Sequence, residues 1–280
     1  MREHGYVVGR NLALDERYAQ GNFSRLPVLA DELISLRPDA LVGIEPAAVA
    51  LRGRTTTIPI VLLASPNPVA AGLVQSLSRP GTNVTGLAFR LDELIAKHIE
   101  LLAEINPRMS RVALFNFAAV GDDPGASSSA LYEQYARKGA SAKGLTLVVV
   151  AARDAQGVQQ AFARLEEERP EGLVVAPSGL TWQFRNEIIR EARRLRLPSI
   201  TSLPAGWADS GGLATYGTNF VDAYRYAATY VDRIFKGAKP AELPVEQTTK
   251  FEFVINLKTA REIGVKIPQS VLLRADRVTE

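Results

Sequence analysis

Short strand candidates alternate with amphipathic helices along almost the whole chain, and this alternation restricts the fold more than any other feature. The clearest candidates are Leu12–Tyr18, Ala40–Ile44, Ile58–Leu63, Val84–Ala88, Val112–Asn116, Leu145–Val150, Gly172–Ala176, Ser199–Ser202 and Phe251–Ile255. Several are apolar on consecutive residues. Strands covered on both faces have that pattern, because neither face has to meet water. Leu26, Leu29, Ala30, Leu33 and Ile34 form one helical stripe, ended by Pro38. Leu91, Leu94, Ile95, His98, Leu101 and Leu102 form a second, ended by Asn106-Pro107. A third runs through Ala223, Tyr226, Ala227, Tyr230, Val231 and Ile234 to Lys236-Gly237, where glycine suits a helix end. Such alternation implies an α/β fold with right-handed crossovers and doubly wound parallel sheets.

About nine or ten strands exceed the roughly four to six of one comfortable sheet, so two sheets are expected. The seam falls near Asn106-Pro107-Arg108, and a chain of 280 residues can bury a core on each side of it. Met1–Tyr6 reads as the last turn of a helix capped at Gly5, followed directly by a strand. The expectation is therefore a truncated chain, one that starts inside its first unit without that unit's usual opening strand.

Charge narrows the function. The formal net charge is +3, and the densest basic cluster, Arg185 to Arg196, alternates with Glu187 and Glu191 at helical spacing. That is a solvated helix face, not the one-signed stripe that nucleic acid requires. No apolar run approaches the roughly 18 residues needed to span a bilayer, and Met1–Tyr6 lacks the apolar core of an export signal. Cysteine is absent, which excludes a disulfide framework and thiolate chemistry.

The sequence proposes no catalytic machinery. Its two histidines, His4 and His98, are far apart, and His98 lies on an apolar stripe, where a packed side chain is the plainer reading. No Gly-x-Ser-x-Gly elbow or phosphate-binding glycine loop is present, and Gly211-Gly212 leads into a strand, not a helix. Asp122-Asp123 and Glu166 to Glu168 read as loop or exposed helix-end carboxylates. No metal, cofactor or catalytic residue is expected.

The loops after the strands are more informative, because open α/β sheets bind ligands beyond the carboxyl ends of their strands. Those loops read Glu45-Pro46-Ala47-Ala48, Ser65-Pro66-Asn67-Pro68, Asn116-Phe117, Pro177-Ser178-Gly179 and Ser202-Leu203-Pro204. Each alone is an ordinary turn; together they make an uncharged polar pocket suited to orienting a small molecule. Glu45, Ser65, Asn67, Asn116, Ser178 and Ser202 are the expected polar contacts, beside Pro46 and Pro177. Phe117, Trp182, Leu203 and Tyr216 are the candidates for an apolar wall, although Trp182 and Tyr216 suit a core equally well.

Several segments recur in a known order: Gly5 to Asn11, Leu26-Pro27 with Ala30 and Leu33, Thr57 to Val61, and Leu77 to Gly86. Pro244 to Gln247, Lys250 to Glu252, Ile255 to Ala260, Ile267-Pro268 and Leu272 to Asp276 complete the series. In these the chain resembles, over essentially its whole length, ATP-binding-cassette (ABC) transporter substrate-binding proteins of the tryptophan/tyrosine type. The resemblance implies a type I periplasmic-binding fold, two lobes joined by a hinge that closes on a ligand like a Venus flytrap. On that pattern residues 1–107 with 218–245 form the first lobe, and 108–217 with 246–280 the second.

The same resemblance implies a monomer in the periplasm, working with an ABC permease and ATPase and reaching the membrane only through the permease. Family members begin earlier, with a signal peptide and a first strand. Two departures touch the pocket. Glu45-Pro46 replaces a Gly-Thr-Pro type loop, and Asn67-Pro68-Val69 stands where Asp-Pro-Val is common, so Glu45 is the neighbouring carboxylate that could restore the lost charge. The ligand, a small polar or aromatic molecule, stays open on these grounds. A ligand-sensing module and a nucleotide-dependent transferase are the rival readings.

Overall fold

Several runs of consecutive apolar residues become strands buried on both faces. The computed structural model describes residues 1–20, 22–117, 126–202, 206–248 and 250–280. Asp122, Asp123, Leu203 and Pro204 lie outside the described residues. The strands are β1 (Leu41–Ile44), β2 (Ile60–Ala64), β3 (Val84–Phe89), β4 (Arg111–Phe117), β5 (Thr146–Ala152) and β6 (Gly172–Val175). Then follow β7 (Ser199–Thr201), β8 (Ala214–Thr218), β9 (Glu246–Thr248), β10 (Phe251–Asn256) and β11 (Arg277–Thr279).

The chain divides into two compact units, the first made of residues 1–90 and 220–248, the second of 91–117, 126–202, 206–219 and 250–280. In the first, β1, β2, β3 and β9 form a parallel sheet in that order, with Leu41 opposite Ile60 and Ile60 opposite Val84. Alternate residues of a strand point to opposite faces. Ile60 and Leu62 accordingly pack with Ala30, Ala48 and Leu51, while Val61 and Leu63 pack with Ala227, Tyr230 and Val231. Helices Leu26–Ser35 and Glu45–Arg52 thus cover one face, and helix Phe220–Phe235 covers the other. At Gly86, φ is +129° and a Cβ atom would lie 2.2 Å from the Leu62 carbonyl oxygen, so only glycine lets β3 close on β2 there.

The second unit holds a seven-stranded sheet in the order β11-β10-β8-β7-β6-β4-β5, parallel except for the β10–β8 pair. Its core contains Phe115, Phe162, Leu173, Val175, Ile188 and Trp207, each at most 1% exposed.

Two sequence readings need correction. Leu12–Tyr18 is not a strand: only an isolated bridge joins Val8 to Leu12, and Leu14 and Tyr18 are exposed. A strand requires a ladder partner, and none of the described residues offers this segment one. The seam also differs from the one expected near Asn106-Pro107. The described chain passes between units after residue 90, after 219 and between 248 and 250. Helix Leu91–Ile105 packs against helix Ala126–Ala142 and strands β6 to β8, so it belongs to the second unit. Its end at Asn106-Pro107 is a turn within that unit.

Candidate functional site

In the first unit, β1, β2 and β3 run parallel and their carboxyl ends lie at one edge, which gathers Glu45, Pro46, Ser65 and Asn67. Glu45 is not in a loop, as the sequence suggested, but opens helix Glu45–Arg52 with Pro46 in its first turn. Proline is at home there, because it gives up an N–H that has no helical acceptor. Glu45 and Ser65 are 3% and 0% exposed, and Ser65 Oγ donates a hydrogen bond to the Glu45 carboxylate. Helix N-termini favour negative charge, so carboxylate, hydroxyl and helix start support one another. Asn67 is half-buried, and its Oδ1 accepts from the Ala70 N–H at 3.0 Å, which closes the turn after β2.

The second unit gathers its residues by the same rule. β4, β6, β7 and β8 are parallel neighbours, so Asn116, Phe117, Pro177, Ser178, Ser202 and Tyr216 share the carboxyl edge of one sheet. Asn116 is buried; Oδ1 accepts from the Phe117 N–H at 3.0 Å, and Nδ2 donates to the Ser129 carbonyl at 2.9 Å. Phe117 is buried edge-on against Tyr132. Ser178 caps helix Gly179–Gln183 in a reciprocal box with Thr181, its Oγ accepting from the Thr181 N–H at 3.1 Å. Ser202 is buried where β8 draws close, such that a Cβ on Gly217 would sit 2.7 Å from the Ser202 carbonyl oxygen. Pro177 is half-buried, one residue before the Ser178 cap. Leu203 lies outside the described residues.

Of the four wall candidates, Tyr216 and Trp182 diverge. Tyr216 packs its ring against Phe251 and Phe253, at centroid distances of 5.4 and 5.9 Å, and burial raises its pKa. His98 is fully buried beneath it, with Nε2 2.6 Å from the Tyr216 carbonyl oxygen. That geometry requires Nε2 to carry the proton, and burial pushes the His98 pKa down to about 4. His98 therefore belongs to the packed interior, and the half-buried Tyr216 ring packs edge-on against it. Trp182 instead keeps 39% of its surface exposed, with the Arg185 guanidinium 4.4 Å above its ring centroid. Sequence reading missed Arg185 by merging it with the solvated helix face. The available signal was an arginine three residues after a tryptophan, close enough in sequence for a cation to reach the ring.

A surface cavity of about 540 Å³ lies elsewhere on the second unit, lined by Asn186, Arg190, Arg193, Arg194, Ser210 and Glu262. Its arginines are engaged: Arg193 with Glu262, Arg194 with Glu166 at 2.9 Å, and Arg190 with Glu191 at 3.3 Å. It is a salt-bridged groove. Among the described residues no group of histidine, aspartate and glutamate could hold a metal ion, and no helix is long and apolar enough to cross a membrane.

Residues 1–279 match the protein family described as ABC transporter substrate binding protein. The tyrosine-binding protein of Clostridioides difficile (strain R20291) is 26% identical over 268 residues, covering 95% of this chain and 74% of that protein. A crystal structure of a conserved domain protein from Vibrio cholerae is similar with a TM-score of 0.89 at 30% identity, over 99% of this chain and 91% of that one. A Streptococcus pneumonia ABC domain in complex with L-Trp is similar at 0.86 and 25% identity, over 99% and 90%. The fold is that of type I periplasmic-binding proteins.

Proposed function

This chain belongs to the ABC transporter substrate-binding protein family, and from that premise we propose that it captures a small aromatic or polar solute for uptake. It has the role of the solute-binding component, and the family implies transporter subunits as its partners. The finer reading is an extracytoplasmic monomer that holds the solute at its strand-tip loops and delivers it to a permease driven by an ATPase. Ligand-favoured selection between two states is the proposed mechanism, since a ligand shifts an equilibrium only by its difference in affinity for them.

One observation carries the reading: small hydrogen-bonding side chains collect at the carboxyl ends of the parallel strands in both sheets, with no acid–base pair among them in the described residues. Such a lining orients a guest without activating it. Because relatives are described as binding tyrosine and L-Trp, aromatic amino acids are the first probes. Calorimetric titration with tyrosine, tryptophan, aromatic acids, nucleosides and sugars tests the proposal. A member of the panel is expected to bind with Kd near about 1 μM or below, and to stabilise the protein by ~2.7 kcal/mol at a hundredfold excess over Kd. Chemical conversion of a bound compound, or no binding across the panel, rejects it.

A further inference from the structure

We propose that Trp182 and Arg185 form a subsite that receives the carboxylate of the solute, with Arg185 as the anion receptor and Trp182 as the wall beside it. The inference rests on the solute-binding reading above and names the chemical class that reading leaves open.

Placement comes first. Trp182 lies in helix Gly179–Gln183, which begins just beyond the tip of β6, and Arg185 opens the next helix, Arg185–Arg194. Both stand beside the Ser178 cap, at the ligand-binding edge of a parallel sheet.

The second point is that the indole is fixed while its surface is left open. Its Cη2 edge rests against Gly206, where a Cβ would stand only 3.0 Å away, so the ring bridges helix Gly179–Gln183 and the start of helix Gly206–Asp209. It nonetheless remains 39% exposed. A large aromatic held between two short helices and still facing solvent is a ready contact surface.

The third point concerns charge. The Arg185 guanidinium lies 4.4 Å above the indole centroid, and its Nη1 donates to the Trp182 carbonyl at 3.0 Å. Among the described residues Arg185 pairs with no carboxylate, whereas Arg190, Arg193 and Arg194 of the same helix each hold a glutamate. One contact uses one of the five N–H donors that guanidinium offers. The remaining fork, oriented by stacking, has the geometry that accepts a carboxylate through two parallel hydrogen bonds.

Three probes and two variants test this by calorimetric titration: L-tyrosine, 4-hydroxyphenylpropionate (which lacks the amine) and tyramine (which lacks the carboxylate). The wild-type chain is expected to bind both acids and to bind tyramine roughly 10- to 100-fold more weakly. In Arg185→Gln the acids fall toward the tyramine affinity while tyramine is unchanged, and Arg185→Lys restores part of the loss. Should tyramine match the acids in the wild type, or Arg185→Gln weaken all three alike, the subsite is refuted while solute binding stands. If none of the three binds the wild-type chain, the subsite and the aromatic solute reading fall together.

Discussion

In β6 all four residues from Gly172 to Val175 are buried, whereas in β1 burial alternates, leaving Val42 45% and Ile44 44% exposed. The two strands read alike in sequence, Gly-Leu-Val-Val and Leu-Val-Gly-Ile. β6 lies inside a seven-stranded sheet, between β4 and β7, while β1 stands at the end of a four-stranded order with β2 on one side. An apolar run therefore reports that a strand tolerates cover on both faces. Whether both covers are present is decided by other parts of the chain.

The contrast can be broken most severely at the centre of the first sheet. Gly86→Ala forces a Cβ to within 2.2 Å of the Leu62 carbonyl at a φ that alanine resists. The expected loss exceeds ~3 kcal/mol and falls on the first unit. Scanning calorimetry should show that unit melting early while the second keeps its transition. Wild-type melting would mean that β2 and β3 have room to separate.

Acid sharpens the comparison from the other side. His98 is neutral and buried in the second unit, with its pKa lowered by desolvation from 6.5 to about 4. Between those values the unfolded chain binds a proton that the folded chain refuses, so stability rises with pH across this window. The His98 contribution is complete above about pH 6.5 and declines as pH falls through about 4, by ~3 kcal/mol in all. In His98→Leu this component of acid destabilisation disappears. A pH-stability curve with the wild-type slope over that window would refute the assignment.

The smallest effect compares one substitution at two sites. Val174→Thr puts a hydroxyl into a strand that is 1% exposed there, and is expected to cost ~1–3 kcal/mol. Val42→Thr places the same hydroxyl at a water-facing position and should cost less than ~0.5 kcal/mol. Equal costs by urea denaturation would show that β1 is as enclosed as β6.

Strands that carry both cores were legible because burial on two faces leaves unbroken apolar runs, as in β2, β4 and β6. The missed strands have no such trace. β9 is Glu246-Gln-Thr248 and β11 is Arg277-Val-Thr279, short pieces of mainly polar residues that sheet position alone makes strands. Passage between units was illegible for a different reason. Arg90-Leu91 is locally an ordinary strand-to-helix turn, and nothing in its composition tells which sheet the helix will cover. Among the candidate ligand contacts, position was legible and employment was not. Asn116, Ser178 and Asn67 stand at strand tips as expected, yet each has taken up backbone groups of its own loop. Sequence shows that an amide or hydroxyl is present; only coordinates show what it already holds.

The chain has two tryptophans, and they differ in a way that can be read by light. Trp207 is wholly enclosed, whereas Trp182 is 39% exposed with a cation stacked on it. A collisional quencher such as iodide or acrylamide should reach one indole and spare the other. The quenchable fraction of the emission then reports Trp182 alone, and any guest that covers that ring would announce itself without a label.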